Sequence, residues 1–349
     1  MDVQVGMIGF TRRGTDLVSH LKSMLEAEGF SCMAYAPKTF LGESGLLLSP
    51  GASAFAGEMF RLREAMIFVG AAGIATRAIA PFVRDKFTDP PVLVVDEAGQ
   101  FVIPLLSGHV GGANELARDV ARLLGAIPVI TTATDVNAVF AVDVFAAKNR
   151  LTITSRLAAR KVAMELLSDR EVGFFTEECV NAPKCLPNGL VREMRDWNIR
   201  IGIKSKASAP KELVLVPKNV VVGVGCKRGV ALEVVSRRVE DTLKENKVLR
   251  EAVCALASID IKREEQALIG LSDQENWKFL TYSAETLNAL NGTFSSSNFV
   301  QSTVGVDCVC ERAAIAGAGE GASLLFEKNA GDGVTVAAAR MPYEVRFEV

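Results

Sequence analysis

Short apolar runs that end in Gly, Asp or Thr and alternate with amphipathic segments constrain this chain more than any other feature. The runs 66–69, 92–95 and 128–130 empty into Gly70, Asp96-Glu97 and Thr131. A strand that ends this way and is followed by helical spacing is a βα unit, so the fold class expected is α/β. In an open α/β sheet ligands bind in the crevice beyond the carboxyl ends of the strands, which places Gly70, Asp96, Glu97 and Thr131 there.

Residues 3–10 open the same pattern: a strand, the turn Gly9-Phe10-Thr11-Arg12-Arg13-Gly14, then Leu17, Leu21, Met24 and Leu25 at helical spacing. The turn either holds an anionic group through backbone N–H groups and its two arginines, or carries two solvated side chains. Residues 46–60 read as a loop leading into a short helix. After Asp135 the pattern predicts helices over 140–148 and 155–167, the second capped by Ser155, and short strands over 171–176, 199–204 and 212–216 around Pro183, Pro187 and Pro210. From Asn219 βα alternation resumes: a strand over 220–225, a helix striped by Leu232, Val235, Val239 and Leu243, a strand over 257–262, a helix from Arg263, a strand over 277–282, helices over 284–290, 298–304 and 309–316, and strands over 323–326 and 334–339. The organisation expected is an N-terminal open α/β domain (1–138), a small mixed α/β middle module (139–216) and a separate small α/β C-terminal domain (217–349).

A net charge of -2 offers no electrostatic footprint for nucleic acid, so a small molecule is the better partner. No apolar run approaches the roughly 18 residues of a membrane span, and the start lacks the basic region of a signal peptide. A cytoplasmic protein without membrane contact is expected. Seven cysteines, an odd number with no CxxC pair, argue for reduced core thiols, and with only His20 and His109 beside them no metal site is expected.

The chemistry-bearing candidates cluster in 70–135. Ser107-Gly108-His109-Val110-Gly111-Gly112-Ala113-Asn114-Glu115 precedes a helix striped by Leu116, Val120, Leu123 and Leu124. Three glycines let backbone and ligand approach His109 closely, which favours a functional histidine over a satisfied structural one. Asp96 and Glu97 are candidates for acid, base or cation contact, or form a solvated turn. Arg77 meets an anion or pairs with a neighbouring acid, and Glu115 has Arg118 three residues along its helix. Gly223-Val224-Gly225-Cys226-Lys227-Arg228-Gly229 invites a dinucleotide reading, but its GxGxxxG spacing and the lack of an acidic residue about 20 positions later argue against it. A turn at a helix start with Lys227 and Arg228 beside it suits a carboxylate or phosphate, or is a tight turn with exposed basic side chains.

These residues carry a resemblance. The run Gly70-Ala71-Ala72-Gly73-Ile74, Arg77, Ile79-Ala80-Pro81, Lys86, Asp89-Pro90, Val94-Val95-Asp96-Glu97, Ile103-Pro104-Leu105-Leu106-Ser107-Gly108-His109, Gly111-Gly112-Ala113-Asn114 and Thr131-Thr132-Ala133-Thr134-Asp135 resembles the cobalt-precorrin-5A hydrolase family (CbiG) of anaerobic cobalamin biosynthesis. The third unit is similar to the family's C-terminal domain through 223–229, Ala257-Ser258, Lys262, Thr303-Val304-Gly305-Val306, Cys310-Glu311 and Ala313-Ala314. Cys308 stands where a small polar residue such as Asn is expected, and the middle module resembles the family by placement.

The resemblance implies a cobalt-tetrapyrrole substrate whose δ-lactone bridges a ring acetate to a methylated meso carbon. Water opens the lactone and the meso fragment leaves as acetaldehyde, giving cobalt-precorrin-5B. No cofactor is expected beyond the cobalt that the substrate carries, and other enzymes of the pathway are potential partners. The chemistry needs a base, oxyanion donors and a group to manage the alkoxide. His109 is the expected base, with an acid limb near pH 6.5 if its loop leaves it unperturbed. The N–H groups around Gly111 and Gly112 are the expected oxyanion donors, and Asp96 or Glu97 the expected orienter. Arg77, Lys86, Lys227 and Arg228 are candidates for the substrate's carboxylates, with Gly70, Gly73, Ser107, Asn114, Thr131, Thr132 and Gly225 lining the site. The alternative reading is a non-catalytic tetrapyrrole-binding or handover module, which binds tightly without turnover. A nucleotide-dependent enzyme, the third reading, predicts a thermal shift with ATP or NAD.

Overall fold

Every residue of the run Ala65–Val69 is buried, and its side chains alternate between two helical layers, Ile67 and Val69 under one, Met66 and Phe68 under the other. That double coverage is why the strand reads as a continuous apolar run. The computed structural model describes residues 4–41, 45–85, 88–109, 111–178, 180–205 and 211–347, and of 298–300 the backbone alone. The chain divides into two units, Met1–Val144 and Phe145–Val349.

The first unit contains β1 (Gln4–Gly9), α1 (Arg12–Ala27), β2 (Ser31–Ala36), β3 (Leu47–Leu48), α2 (Ala52–Leu62), β4 (Ala65–Val69), α3 (Ala72–Ile79), β5 (Val92–Val95), β6 (Phe101–Leu106), α4 (Ala113–Leu124), β7 (Ile127–Pro128) and α5 (Ala133–Val136); α6 (Val142–Lys148) crosses the boundary. Its seven-stranded sheet has the order β3-β2-β1-β4-β5-β6-β7. Helices α1 and α4 cover one face through Val18, Leu21, Leu25, Leu116 and Val120, and α2 and α3 the other through Phe55, Met59, Ala75 and Ile79. A fully buried side chain of the size of Phe68 stabilises such a core by about 1.5–3 kcal/mol.

Strands β1 to β5 are mutually parallel, with Val5 opposite Cys32 and Ala65, and Met66 opposite Val92. The alternation then breaks. β6 runs antiparallel to β5, Val94 facing Ile103, and β7 runs parallel to β6. Residues 96–100 alone join β5 to β6, far fewer than the dozen or so a parallel crossover requires. The turn is held by the Asp96 carboxylate, which accepts N–H bonds from Ala98 (3.0 Å), Gln100 (2.8 Å) and Phe101 (2.6 Å). This reversal corrects the expectation of uninterrupted βα units. The carboxyl ends of β6 and β7 lie at the edge where β4 and β5 begin, opposite Asp96.

The second unit contains two larger sheets. β8 (Leu151–Ile153), α7 (Arg156–Leu167), β9 (Val172–Thr176), β10 (Val180–Asn181), β11 (Leu190–Val191), β12 (Asn198–Ile201) and β13 (Glu212–Pro217) form the first, ordered β11-β9-β12-β13-β8 and parallel except for β8; β10 lies outside it. Ser155 caps α7 by accepting the Ala158 N–H. The second comprises β14 (Val220–Cys226), α8 (Leu232–Glu245), β15 (Val253–Ile259), α9 (Gln266–Glu275), β16 (Lys278–Tyr282), α10 (Ala284–Asn288), α11 (Asn298–Val304), α12 (Val309–Ala318), β17 (Ser323–Gly331) and β18 (Val334–Arg340), with strand order β16-β15-β14-β18-β17. β19 (Tyr343–Glu344) pairs with β10. The strand expected over 257–262 begins earlier, at Val253, and Asp260–Lys262 is a 3-10 turn. The unit is thus mixed α/β throughout. Gly223 has a packing role: a Cβ there would lie 1.8 Å from the Cys310 carbonyl oxygen, so the glycine lets α12 press its backbone onto β14. Cys308, at the N-cap of α12, is buried with its Sγ 3.7 Å from that of Cys310, and the cysteines within the described residues are free thiols.

Candidate active site

The reversal of β6 delivers the glycine-rich loop and the segment after β7 to the same edge of the first sheet, and His109 is the centre of what meets there. Its Nε2 lies 2.8 Å from Asp135 Oδ2 and 2.9 Å from the Thr134 hydroxyl, and its Nδ1 lies 3.5 Å from Asp143 Oδ1. The side chain is 15% exposed, enough for a small reactant to reach it. Asp135 is itself held, by Asn114 Nδ2 (2.9 Å) on Oδ2 and by the Arg118 guanidinium on Oδ1. Asn114, almost fully buried, also donates to the Thr132 hydroxyl at 2.9 Å.

The loop needs glycine for definite reasons. A Cβ on Gly108 would meet Asn114 Oδ1 at 2.7 Å, and one on Gly111 would fall 2.4 Å from the Ser107 Cβ. Gly112 takes φ 84° as it turns the chain into α4. Ser107, itself at φ 57°, donates its hydroxyl to the Asp89 carbonyl (2.7 Å), which ties the loop to the segment leading into β5.

Two carboxylates on one imidazole favour its charged form. Asp143 contributes most and Asp135 adds to it, against burial that works the other way, and the His109 pKa lies above its ordinary 6.5. Burial pushes Asp135 up, but Arg118 and His109 outweigh it and the carboxyl lies below its usual range. Asp135 and Asp143 address opposite ring nitrogens, so the three do not converge on one ion, and the described residues contain no cluster of three potential metal ligands.

Of the residues expected at the site, His109, Ser107, Gly111, Gly112, Asn114 and Thr132 are brought together. Others are not. Asp96 spends its carboxylate on its own turn and Glu97 accepts the Thr11 hydroxyl at 2.8 Å, both beyond the carboxyl end of β5. β5 alone separates that end from the His109 edge by roughly 13 Å, so neither residue orients the histidine; Asp135 and Asp143 do. The Gly112 N–H, expected to face an oxyanion, donates to the His109 carbonyl at 2.9 Å. Gly70 donates its N–H to Val95 O, and Arg77, exposed, reaches back to the Gly73 carbonyl at 3.2 Å. Thr131 is exposed on the approach to α5, and Lys86 lies outside the described residues.

In the second unit Gly225 accepts the Thr335 hydroxyl (3.2 Å), and Lys227 and Arg228 are exposed. Beside them the Gly229 N–H donates to Glu265, which Lys262 also pairs at 2.9 Å. Sequence reasoning missed the roles of Arg118, Thr134, Asp135 and Asp143. Thr134-Asp135 closes a quoted motif and so carried a signal; Asp143, in an unremarkable helix, carried none.

Comparison with known proteins gives the family of the chain. Residues 54–135 match the family described as Cobalamin synthesis G N-terminal, and 220–339 the one described as Cobalamin synthesis G C-terminus. The chain is 35% identical over 322 residues to cobalt-precorrin-5A hydrolase of Salmonella typhimurium, covering 89% of this chain and 90% of that protein. It is 28% identical over 357 residues to cobalt-precorrin-5A hydrolase of Priestia megaterium, covering 97% and 95%. A solved structure of a cobalamin biosynthesis protein G homologue from Sulfolobus solfataricus is 20% identical, with 97% of this chain and 98% of that one covered and a TM-score of 0.42. No helix among the described residues is long and apolar enough to cross a membrane. On the two matched segments and the identity over nearly the whole length, the chain belongs to the cobalt-precorrin-5A hydrolase family, CbiG.

Proposed function

We propose that this chain hydrolyses the δ-lactone of cobalt-precorrin-5A and releases acetaldehyde, with His109 as the general base. The observation that carries the reading is the asymmetry of the imidazole. Asp135 lies 2.8 Å from Nε2 and Asp143 3.5 Å from Nδ1; in the tautomer that gives the Nε2–H to Asp135, the lone pair of the neutral ring falls on Nδ1. A base held by a close carboxylate at one nitrogen, with a more distant one beside the other, can take a proton from water and stabilise the imidazolium that results.

Nδ1 takes a proton from water as its oxygen adds to the lactone carbonyl, and the imidazolium so formed sits between two carboxylates. Arg118, bound to Asp135 through one nitrogen, has donors left for the tetrahedral oxyanion, a role that replaces the one expected of Gly112. Collapse breaks the acyl–oxygen bond and frees the ring acetate and an alkoxide. The alkoxide electrons form the aldehyde C=O as the bond to the meso carbon breaks; that bond's electron pair stays on the macrocycle, which takes up the proton from His109. One water is consumed, and the cobalt arrives as part of the substrate.

The deciding experiment is incubation of the pure protein, dialysed against a chelator, with cobalt-precorrin-5A. Acetaldehyde should appear in step with cobalt-precorrin-5B. Tight binding without acetaldehyde would make the chain a handover module instead, and activity restored only by added zinc would remove His109 from the role of sole activator.

A further inference from the structure

A cavity of about 300 Å3 opens at the same edge of the first sheet as His109, lined by α2 and by the segment leading into β5. Its apolar floor is Phe60 and Phe82, whose rings lie 5.8 Å apart at 35°. Gly57 makes the floor possible, since a Cβ there would fall 2.9 Å from Phe82 Cζ. Around the floor stand Arg61, Arg63 and Arg84, all exposed and none paired with a carboxylate among the described residues. The acid that does line the cavity, Asp89, is buried and turns Oδ2 onto the N–H groups of Arg84 and Asp85. Three unneutralised guanidiniums around two aromatic rings form a site for a flat anion.

Two further observations give the cavity direction. The Asp89 carbonyl accepts the Ser107 hydroxyl at 2.7 Å, so one residue of the cavity wall is bonded directly to the loop that carries His109. Arg63, at the C-cap of α2, holds φ 60°, a left-handed conformation where glycine is at ease and a longer residue costs about 1 kcal/mol. An arginine there is conformationally costly.

We propose that this cavity docks one carboxylate-bearing side of the macrocycle: Phe60 and Phe82 receive a ring edge, Arg61, Arg63 and Arg84 bind its acetate and propionate groups, and the lactone side is presented to His109. This assignment rests on the proposed hydrolysis for the identity of the ligand. A volume of about 300 Å3 takes one substituted pyrrole ring, not the whole macrocycle, so the remainder extends beyond the cavity.

The test measures binding apart from turnover. Fluorescence titration with uroporphyrin III, a flat macrocycle bearing a carboxylate on every side chain, should give saturable binding to the parent, and mesoporphyrin, with a single pair of carboxylates, should bind more weakly. Because the arginines are exposed, Arg61→Gln or Arg84→Gln should each weaken uroporphyrin roughly two- to fivefold, and the triple variant with Arg63→Gly on the order of tenfold or more. Arg63→Gly separates the site from a structural role: it should raise the melting temperature by about 2–4 °C while lowering affinity. Uroporphyrin binding that is undetectable in the parent, or unchanged in the triple variant, would overturn the docking assignment. His109→Asn should bind uroporphyrin like the parent yet release acetaldehyde from cobalt-precorrin-5A about 10²–10⁴-fold more slowly, whereas full turnover by that variant would overturn the assignment of His109 as the base and leave the docking result standing.

Discussion

The first sheet has two edges, and they use similar residues for different ends. At the carboxyl end of β5, Asp96 and Glu97 are adjacent carboxylates in a loop, yet Asp96 binds three N–H groups of its own turn and Glu97 takes a hydroxyl from Thr11. At the opposite edge Asp135 and Asp143 come from segments eight positions apart and both turn to one imidazole. Adjacency in sequence yields a turn; convergence in space yields a site. What distinguishes the second pair is that each carboxylate faces a group that can change its charge.

The largest effect should expose this difference directly. His109→Asn should keep the fold and lose about 10²–10⁴ in acetaldehyde release, the usual contribution of a positioned general base. Asp96→Asn and Glu97→Gln should retain most of the parent's rate. Equal losses at both edges, measured in the same assay with melting temperatures unchanged, would erase the distinction.

A smaller effect lies in the pH dependence. Because the carboxylates of Asp143 and Asp135 raise the His109 pKa, the acid limb of the rate should have its midpoint above 6.5, not near it as an unperturbed loop histidine implies. The base must be neutral, so the rate rises as pH climbs through the folded pKa. Stability moves the other way: the contribution of a raised pKa is fully present below the unfolded value of about 6.5 and is lost as pH rises through the folded one. Asp143→Asn should move the limb to lower pH, with a modest change in rate at high pH. A limb that stays fixed in that variant would mean that another group titrates.

Much of this was legible in the sequence, and what was not has physical causes. Continuous apolar runs announced β4 and β5 because both faces of the sheet are covered, and the helical stripe of α8 buries Val235, Val239 and Leu243 as spaced. The clustering of glycine around His109 was readable because Asn114 and Ser107 leave no room for a Cβ. The strand over 101–106 was not read from the sequence, and with it the short hairpin at 96–100 that occupies the Asp96 carboxylate was missed. Asp143 could not have been found, because nothing in the sequence of the helix Val142–Lys148 says which loop will pack beside it. The cavity arginines were hidden for a similar reason: Arg61, Arg63 and Arg84 come from two segments that meet only once the sheet has formed.

The smallest expected effect on rate is also the most informative about the carboxyl-end edge. Asp96→Ala removes the acceptor for the N–H groups of Ala98, Gln100 and Phe101. The turn is partly exposed, so these groups return to water, and the loss should be about 1–2 kcal/mol of stability, a fall of a few degrees in melting temperature. Because the hairpin sets the register that carries β6 to the other edge, some loosening of His109 is expected, but the core contacts of Val102 and Leu93 should hold the strand pair. Turnover below the melting transition should therefore stay within a few-fold of the parent. A loss comparable to that of His109→Asn, in a protein that melts normally, would make Asp96 a participant in the chemistry and join the two edges into one site.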